Sequence, residues 1–544
     1  MAANVAVGGR SQDTAVQQGL RNDRRPEERW IQFRYVFLLL GFTGFSCIFV
    51  LRVNLHVAIV SMVNHTAIYK TVTKSDCYKD FNHSITEDII HSDGPFEWSP
   101  ITQGLVLGSY FWGYILTPIP GGTLAEKFSP RWLFVSGIFI AAVLGFLVPI
   151  VTQYFDYIGL VALRLFQGLS AGVTFPSIEV QLAYWVPEHQ RAMAVTFVHS
   201  GVFVGVAVGM FVAGELAGSG FLGGWPSAFY VPSVFSIIWC VLWVIFITDT
   251  PKEHRLMSKA ELRYITGDVE RHRNTHAPTP WKAILLSPSA WAAHIALFGA
   301  LYLHAVLGSM LPTYFGTVLY FDIRSNGMFS ALPYVGATVG CLASGPICDA
   351  IVARSWLSLT NARKLFNAIS LVVPSIILFV VVAVGGCNGM VNLVLFVTVG
   401  IFRGINEAGV GPIPIDIAPD FAGSVFGVSV MVAALAGIAC PYITGVLTEE
   451  KNTTLNWANS FYVAGIIGLL SALIFQIFGT AEIQPWGLAQ PKMIKHETST
   501  NESDLVLPAE ESFLALPIIE SKPTKIKQSD AHNDNERERK KTKK

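Results

Sequence analysis

Long apolar runs separated by short polar connections dominate the chain from residue 35 to residue 479. Six runs cover 35–63, 101–120, 133–152, 156–181, 192–217 and 226–248. After a charged stretch at 249–286, six more cover 287–317, 328–349, 366–386, 390–415, 423–447 and 457–479. An α-helix needs roughly 20 apolar residues to cross the hydrocarbon core of a bilayer. Within that core every backbone polar group must be satisfied inside the segment, so such runs are helices. Proline and glycine breaks, as in 101–120, are tolerated inside a bundle. The pattern predicts an all-α membrane protein with twelve transmembrane helices in two six-helix halves. The divisions are a polar tail (1–34), a first bundle (35–248), a central loop (249–286), a second bundle (287–479) and a polar, disordered tail (480–544).

Composition agrees with this reading. Hydrophobic residues make up 52% of the 544 positions and charged residues only 14%, against about 25% in soluble domains. The formal net charge is zero, so no nucleic-acid partner is implied. The first 34 residues lack the apolar core and small-residue cleavage site of a signal peptide, so the first run reads as a retained anchor. No metal-ligand spacing, nucleophile elbow or phosphate loop is present, and the connections leave no room for a catalytic domain. An enzyme is therefore not expected, nor a cofactor or metal. The expected partners are the lipid bilayer and a small solute, with the chain acting as a monomer.

Lysine and arginine in short connections set orientation. Arg21, Arg24, Arg25, Arg29 and Arg34 precede the first helix, and Lys127 and Arg131 follow the second. Arg191 follows the fourth, Lys252, Arg255, Lys259, Arg263, Arg271 and Arg273 the sixth, and Arg354, Arg363 and Lys364 the eighth. With twelve spans all lie on one side, which is assigned to the cytosol together with both termini. The opposite side receives the 64–100 loop, with glycosylation sequons at Asn64 and Asn82, and a third sequon at Asn452. Asn501 begins a sequon in the tail assigned to the cytosol and is expected to stay unmodified.

The halves look duplicated. Gly122, Glu126 and Arg131 follow the second helix; Gly345, Asp349 and Arg354 follow the eighth, at the same spacing. This is the plan of the major facilitator superfamily, whose loop motif the string GGTLAEKFSPR resembles, with Ser129 where a glycine is usual. Within that superfamily, several strings resemble the anion/cation symporter family of sialin, the vesicular glutamate transporters and the sodium–phosphate cotransporters. They are RVNLHVAIVSMVN, QGLVLGSYFWGYILTPIPGG, LRLFQGLSAGVTFP, LPTYF, IDIAP and GTAEIQPW, in family order from about residue 35 to 486. The resemblance implies the major facilitator fold and a secondary active transporter. Its cargo would be an organic or inorganic anion (phosphate, an acidic sugar such as sialic acid, or a glutamate-like acid) moved with Na+ or H+ by alternating access. The competing reading is a transporter-like sensor or scaffold without substantial flux. Plasma membrane and lysosomal or vesicular membrane both remain open.

An ionisable side chain within a span costs roughly 2.5–3.5 kcal/mol on insertion scales and so marks candidate chemistry. The resemblance gives Arg52 and Arg164 to the anion path, with Gln167 one turn after Arg164. A guanidinium suits that task because its planar fork binds carboxylate or phosphate bidentately. His56, one turn after Arg52, is a coupling candidate beside a fixed cation or else a packed histidine; His199, His294 and His304 read as packed. Glu179 near the end of the fourth helix is a further coupling candidate. Arg403 and Glu407 share a face of the tenth helix. They read as a neutral structural pair or, alternatively, as a displaced site with Arg403 for the anion and Glu407 for the cation. Glu126, Arg131, Asp349 and Arg354 are assigned by the resemblance to a cytosolic charge gate, and Asp416 to structure.

The sequence also departs from the family. Ala171 stands where proton-coupled members carry an acid, Gly411-Pro-Ile-Pro414 replaces a polar run, and Ala300 aligns with an arginine of the glutamate transporters. The first of these points away from proton coupling. Family members carry cysteines in the loops of Cys77 and Cys387, both assigned to the oxidising side, which predicts a disulfide. Two free thiols are the alternative, since a bridge requires Cα atoms within about 7 Å.

Overall fold

A computed structural model of the chain describes residues 32–64, 67, 77, 94–266, 279–449 and 453–488. The tails, most of the first loop (with Asn82) and Asn452 lie outside the described residues. Among the described residues, ten helices are long and apolar enough to cross a membrane. Twelve spans result because one of these, Pro130–Leu182, is a hairpin, and because the second span is broken too short to count. Asp156 leaves helical geometry at φ 52°, and Nε2 of Gln167 donates to the Ala141 carbonyl at 3.2 Å, so the chain folds back on itself there. The second span is Pro100–Tyr114 followed, after Ile115–Thr117, by Pro118–Lys127.

Helix starts follow elementary capping chemistry. Ser99, Ser129 and Ser287 each precede a proline and accept a hydrogen bond from the backbone N–H three residues on. Proline at the first helical position has no N–H to leave unsatisfied, and the serine oxygen takes one of the orphan donors. Asp322, Ser358, Asn388 and Thr453 cap later spans in the same way.

Both halves pack into one compact unit, and each contains the same close crossing. A Cβ on Gly113 or Gly168 would collide with backbone of the fourth and second spans respectively; on Gly340 or Gly404, with the tenth and eighth. Small residues let helix backbones approach closely where packing drives association. The crossings repeat at corresponding places in the two halves, as the duplicated loop motif predicts.

The end of the bundle that carries the central loop is here called inner, and the end with the 64–100 connection outer. At the outer end the halves touch directly. Glu449 Oε2 accepts from the Ile101 N–H at 2.9 Å, capping the second span from the other half. Arg324 Nη2 donates to the Gly218 carbonyl at 3.0 Å, and Gly214 meets Gly327 backbone to backbone. Cys77 and Cys387 form a disulfide with Cα atoms 5.2 Å apart, tying the first outer loop to the turn before the tenth span. Non-reducing digestion should therefore yield a linked Cys77–Cys387 peptide that disappears on reduction. Reduction or a C77S/C387S variant should lower the melting temperature in detergent; an alkylatable Cys77 in the untreated protein would contradict the bridge.

At the inner end, prominent bonds stay within one half. Arg131 Nη2 donates to the Val244 carbonyl, and its backbone N–H to Asp249 Oδ1, joining the third span to the sixth. Arg363 pairs with Asp416 at 2.9 Å and donates to the Ala408 carbonyl. Glu261 of the central loop accepts from the Phe33 and Arg34 N–H groups, capping the first span. Among the described residues, the hydrogen bonds and the disulfide that join the two halves thus lie at the outer end.

Candidate functional site

A small cavity lies between the halves, lined by Arg52, Val53, His56 and Phe111 of the first and by Leu301, His304, Ala305, Gly308, Ser309 and Tyr334 of the second. Its chemistry is built on the first span, Phe33–Met62. Arg52 and His56, one helical turn apart, both present their side chains to it. The guanidinium carbon of Arg52 lies 5.2, 5.3 and 4.4 Å from the ring centres of Phe49, Tyr110 and Phe111. Each is within cation–π range. No hydrogen-bond acceptor for the Arg52 side chain occurs among the described residues. A cation is therefore held by ring faces with its five N–H donors unspent.

Arg164 is placed differently from the sequence expectation. It is 1% exposed and does not line the cavity. Its Nη2 donates to the Arg52 carbonyl at 2.7 Å, and its Nη1 to the Leu51 carbonyl at 3.4 Å and to Gln167 Oε1 at 3.1 Å. Gln167 in turn holds the third span through Ala141. Arg164 and Gln167 thus fix the backbone of the first span where Arg52 leaves it, and touch the cavity only through Arg52. The first span is pinned from the other side by Asn54, whose Nδ2 donates to the Ala228 carbonyl at 3.0 Å.

The second half contributes a wall from the seventh span, Pro288–Thr317, which opens into a π-helical turn at Val306–Met310. Such turns recur at functional sites, and this one brings Gly308 and Ser309 to the cavity. His304 lies edge-on to Tyr334, with ring centres 5.1 Å apart, and the Tyr334 hydroxyl donates to the His304 carbonyl at 3.0 Å. The reading of His304 as mere packing missed this position. Only the folded arrangement brings it opposite His56. His294 is a packed histidine, fully buried with Nδ1 2.7 Å from Ser429 Oγ.

Arg403 and Glu407 do not pair. The tenth span tightens at Ile405, between Gly389–Gly404 and Asn406–Gly409, with its backbone still right-handed helical. No ion pair between them occurs among the described residues. Arg403 reaches across instead: its Nε donates to the Ala300 carbonyl at 2.8 Å. Its buried Nη1 has no partner among the described residues. It lies behind the His304–Tyr334 wall, near enough to act electrostatically on both. Ala300, where the family resemblance places an arginine, is thus met by an arginine from another span.

Glu179, on Thr174–Trp185, meets a histidine that the sequence reading gave to packing: His199 Nε2 lies 2.8 Å from Glu179 Oε1. The two are twenty residues apart on adjacent antiparallel helices, a contact no local periodicity reports.

Among the described residues, Arg131, Asp349 and Arg354 of the proposed gate form no ion pair with one another. Arg131 is spent on the sixth span, Asp349 is exposed, and Arg354 stacks on Trp356 at 5.2 Å. The Glu126 side chain lies outside the described residues. Asn64 sits at the end of the first span, its side-chain oxygen accepting from the Ala67 N–H.

Residues 57–441 match the model of the Major Facilitator Superfamily. Sialin of Homo sapiens is 32% identical over 84% of this chain and 91% of its own length. Vesicular glutamate transporter 3 of Danio rerio is 32% identical over 83% and 74%. The fold resembles the crystal structure of a bacterial homolog to the human lysosomal transporter Spinster, in its inward-facing and occupied conformation. That likeness has a TM-score of 0.59 at 13% identity, covering 82% of this chain and 96% of that one. With twelve spans, a duplicated plan and an arginine-bearing cavity between the halves, the chain belongs to the major facilitator superfamily of membrane transporters and, within it, to the anion/cation symporter family of sialin and the vesicular glutamate transporters.

Proposed function

We propose that this protein carries a small organic or inorganic anion by alternating access, driven by a coupled cation. The observation that carries the reading is Arg52. A permanent cation stands on the wall of a cavity between two halves, held by aromatic faces and unmatched by any carboxylate among the cavity-lining residues. Such a site is costly in a membrane unless a ligand supplies the negative charge. Hydrogen bonds to an ionised acceptor contribute roughly 1.5–3 kcal/mol each, and the guanidinium fork matches a carboxylate or phosphate. His56, His304 and Ser309 add polar groups for orientation. The site suits a compact anion: phosphate, a glutamate-like acid or a sugar acid such as sialic acid. Fastening at the outer end supports an arrangement whose inner end is the one that opens. The inner end is assigned to the cytosol with both termini, in the plasma membrane or an acidic organelle.

The test is uptake of radiolabelled phosphate, glutamate, sialic acid and urate into proteoliposomes of the full-length protein, with sodium and proton gradients imposed independently. Saturable uptake of one of these anions, accelerated by one gradient, is expected. Anion binding without flux under every gradient would favour a sensor.

A further inference from the structure

The cavity explains Arg52, His56 and His304 but not a partly buried ionisable cluster on its inner side. His199 packs between Phe45 and Phe175, with ring centres 5.5 and 5.4 Å away. Its Nε2 lies against Glu179 of the neighbouring helix in the same half. The other charge that acts on it is Glu407, from the tenth span of the opposite half. Glu407 in turn feels Arg403 one turn earlier on its own span and Cys341 on the eighth. The imidazole thus touches one carboxylate and feels the charge of a second, carried by the opposite half.

We propose that His199 is a proton-binding site that controls closure of the inner end. The proposal rests on the alternating-access reading above and assigns its coupling ion. Closing the inner ends brings Glu407 toward the Glu179–His199 pair. With His199 neutral, closure drives two carboxylates together as it shields them from water, and like charges repel more strongly as the water leaves. With His199 protonated, the imidazolium is shared between them and closure is favoured. Imidazole is not a ligand for sodium, a hard ion that takes oxygen donors, whereas histidine is the side chain suited to a proton switch near neutral pH. The acid that Ala171 lacks is supplied two turns further on, by Glu179 acting with a histidine.

The experiment needs no substrate. Spin labels are placed at M193C and W356C, exposed positions at the inner ends of the fifth and eighth spans. The background keeps the Cys77–Cys387 bridge and replaces the five free cysteines by alanine. Electron–electron distances are recorded in nanodiscs from about pH 8 to about pH 5.5, the range in which histidine titrates. Lower pH should shift the population toward the shorter distance, by up to about tenfold per pH unit if one proton is taken up. Both H199Q and E407Q should flatten this response while leaving both distances detectable. E407Q keeps the test alive if H199Q does not reach the membrane, because Glu407 has no ion-pair partner among the described residues. A pH response retained in either variant overturns the proposal, as does a wild-type distance that follows sodium but not pH. Because no anion is present, failure of the anion reading leaves this result unaffected.

Discussion

Replacing Arg52 by alanine should abolish anion uptake while the protein reaches the membrane at wild-type level or above. The asymmetry follows from how the side chain is held. Arg52 has no hydrogen-bond acceptor among the described residues, so its removal strands no buried partner. What is lost is contact with Phe49, Tyr110 and Phe111, worth roughly 0.5–2 kcal/mol per cation–π pair at most. Against that, a poorly solvated cation is relieved, at a gain of the same order on insertion scales. Arg52→Lys should transport poorly as well, because an ammonium neither stacks as a plane on the three rings nor presents two parallel donors. Uptake and surface biotinylation, measured on the same cells, separate loss of activity from loss of protein. Wild-type uptake in Arg52→Ala would remove this residue from the anion path.

Arg164→Ala should also abolish uptake, but through a different route and with a different signature. Arg164 spends its fork on the Leu51 and Arg52 carbonyls and on Gln167. Truncation removes a charge-assisted clamp, leaves Gln167 Oε1 without its donor and opens a void beside Tyr110. The expected destabilisation is about 2–4 kcal/mol, from roughly 1.5–3 kcal/mol per charge-assisted hydrogen bond. Arg164→Ala should therefore melt several degrees below wild type, whereas Arg52→Ala should not. Arg164→Lys can reach one carbonyl and should recover part of the melting temperature. If Arg164 contacts the anion itself, its alanine variant will instead lose binding at unchanged stability.

The apolar runs located twelve spans because length and hydropathy dominate helix insertion, and the reversal at Asp156 coincides with the first residue of the fourth run as read, 156–181. Boundaries moved where chemistry caps helices outside the apolar run: the second span continues past Thr117 to Lys127. The Arg403–Glu407 pairing failed because i,i+4 reasoning sees only partners on the same helix, while Arg403 takes the Ala300 carbonyl of the seventh span. The Glu179–His199 contact and the place of His304 opposite His56 depend on how separate helices rotate against each other. Hydrophobic patterning does not encode that rotation when a helix is apolar on most faces. Arg164 was visible as a buried cation, yet its direction toward the Leu51 and Arg52 carbonyls, rather than into the cavity, depends on how the first and fourth spans face each other.

Equilibrium binding of the transported radiolabelled anion to purified protein, by scintillation proximity with no membrane potential or gradient, isolates the Arg52 site from flux and coupling. Arg52→Ala should bind about 10- to 100-fold more weakly than wild type, the loss of one or more charge-assisted hydrogen bonds at about 1.4 kcal/mol per tenfold change, with an unchanged melting temperature. Wild-type affinity in Arg52→Ala would contradict an anion site centred on that guanidinium.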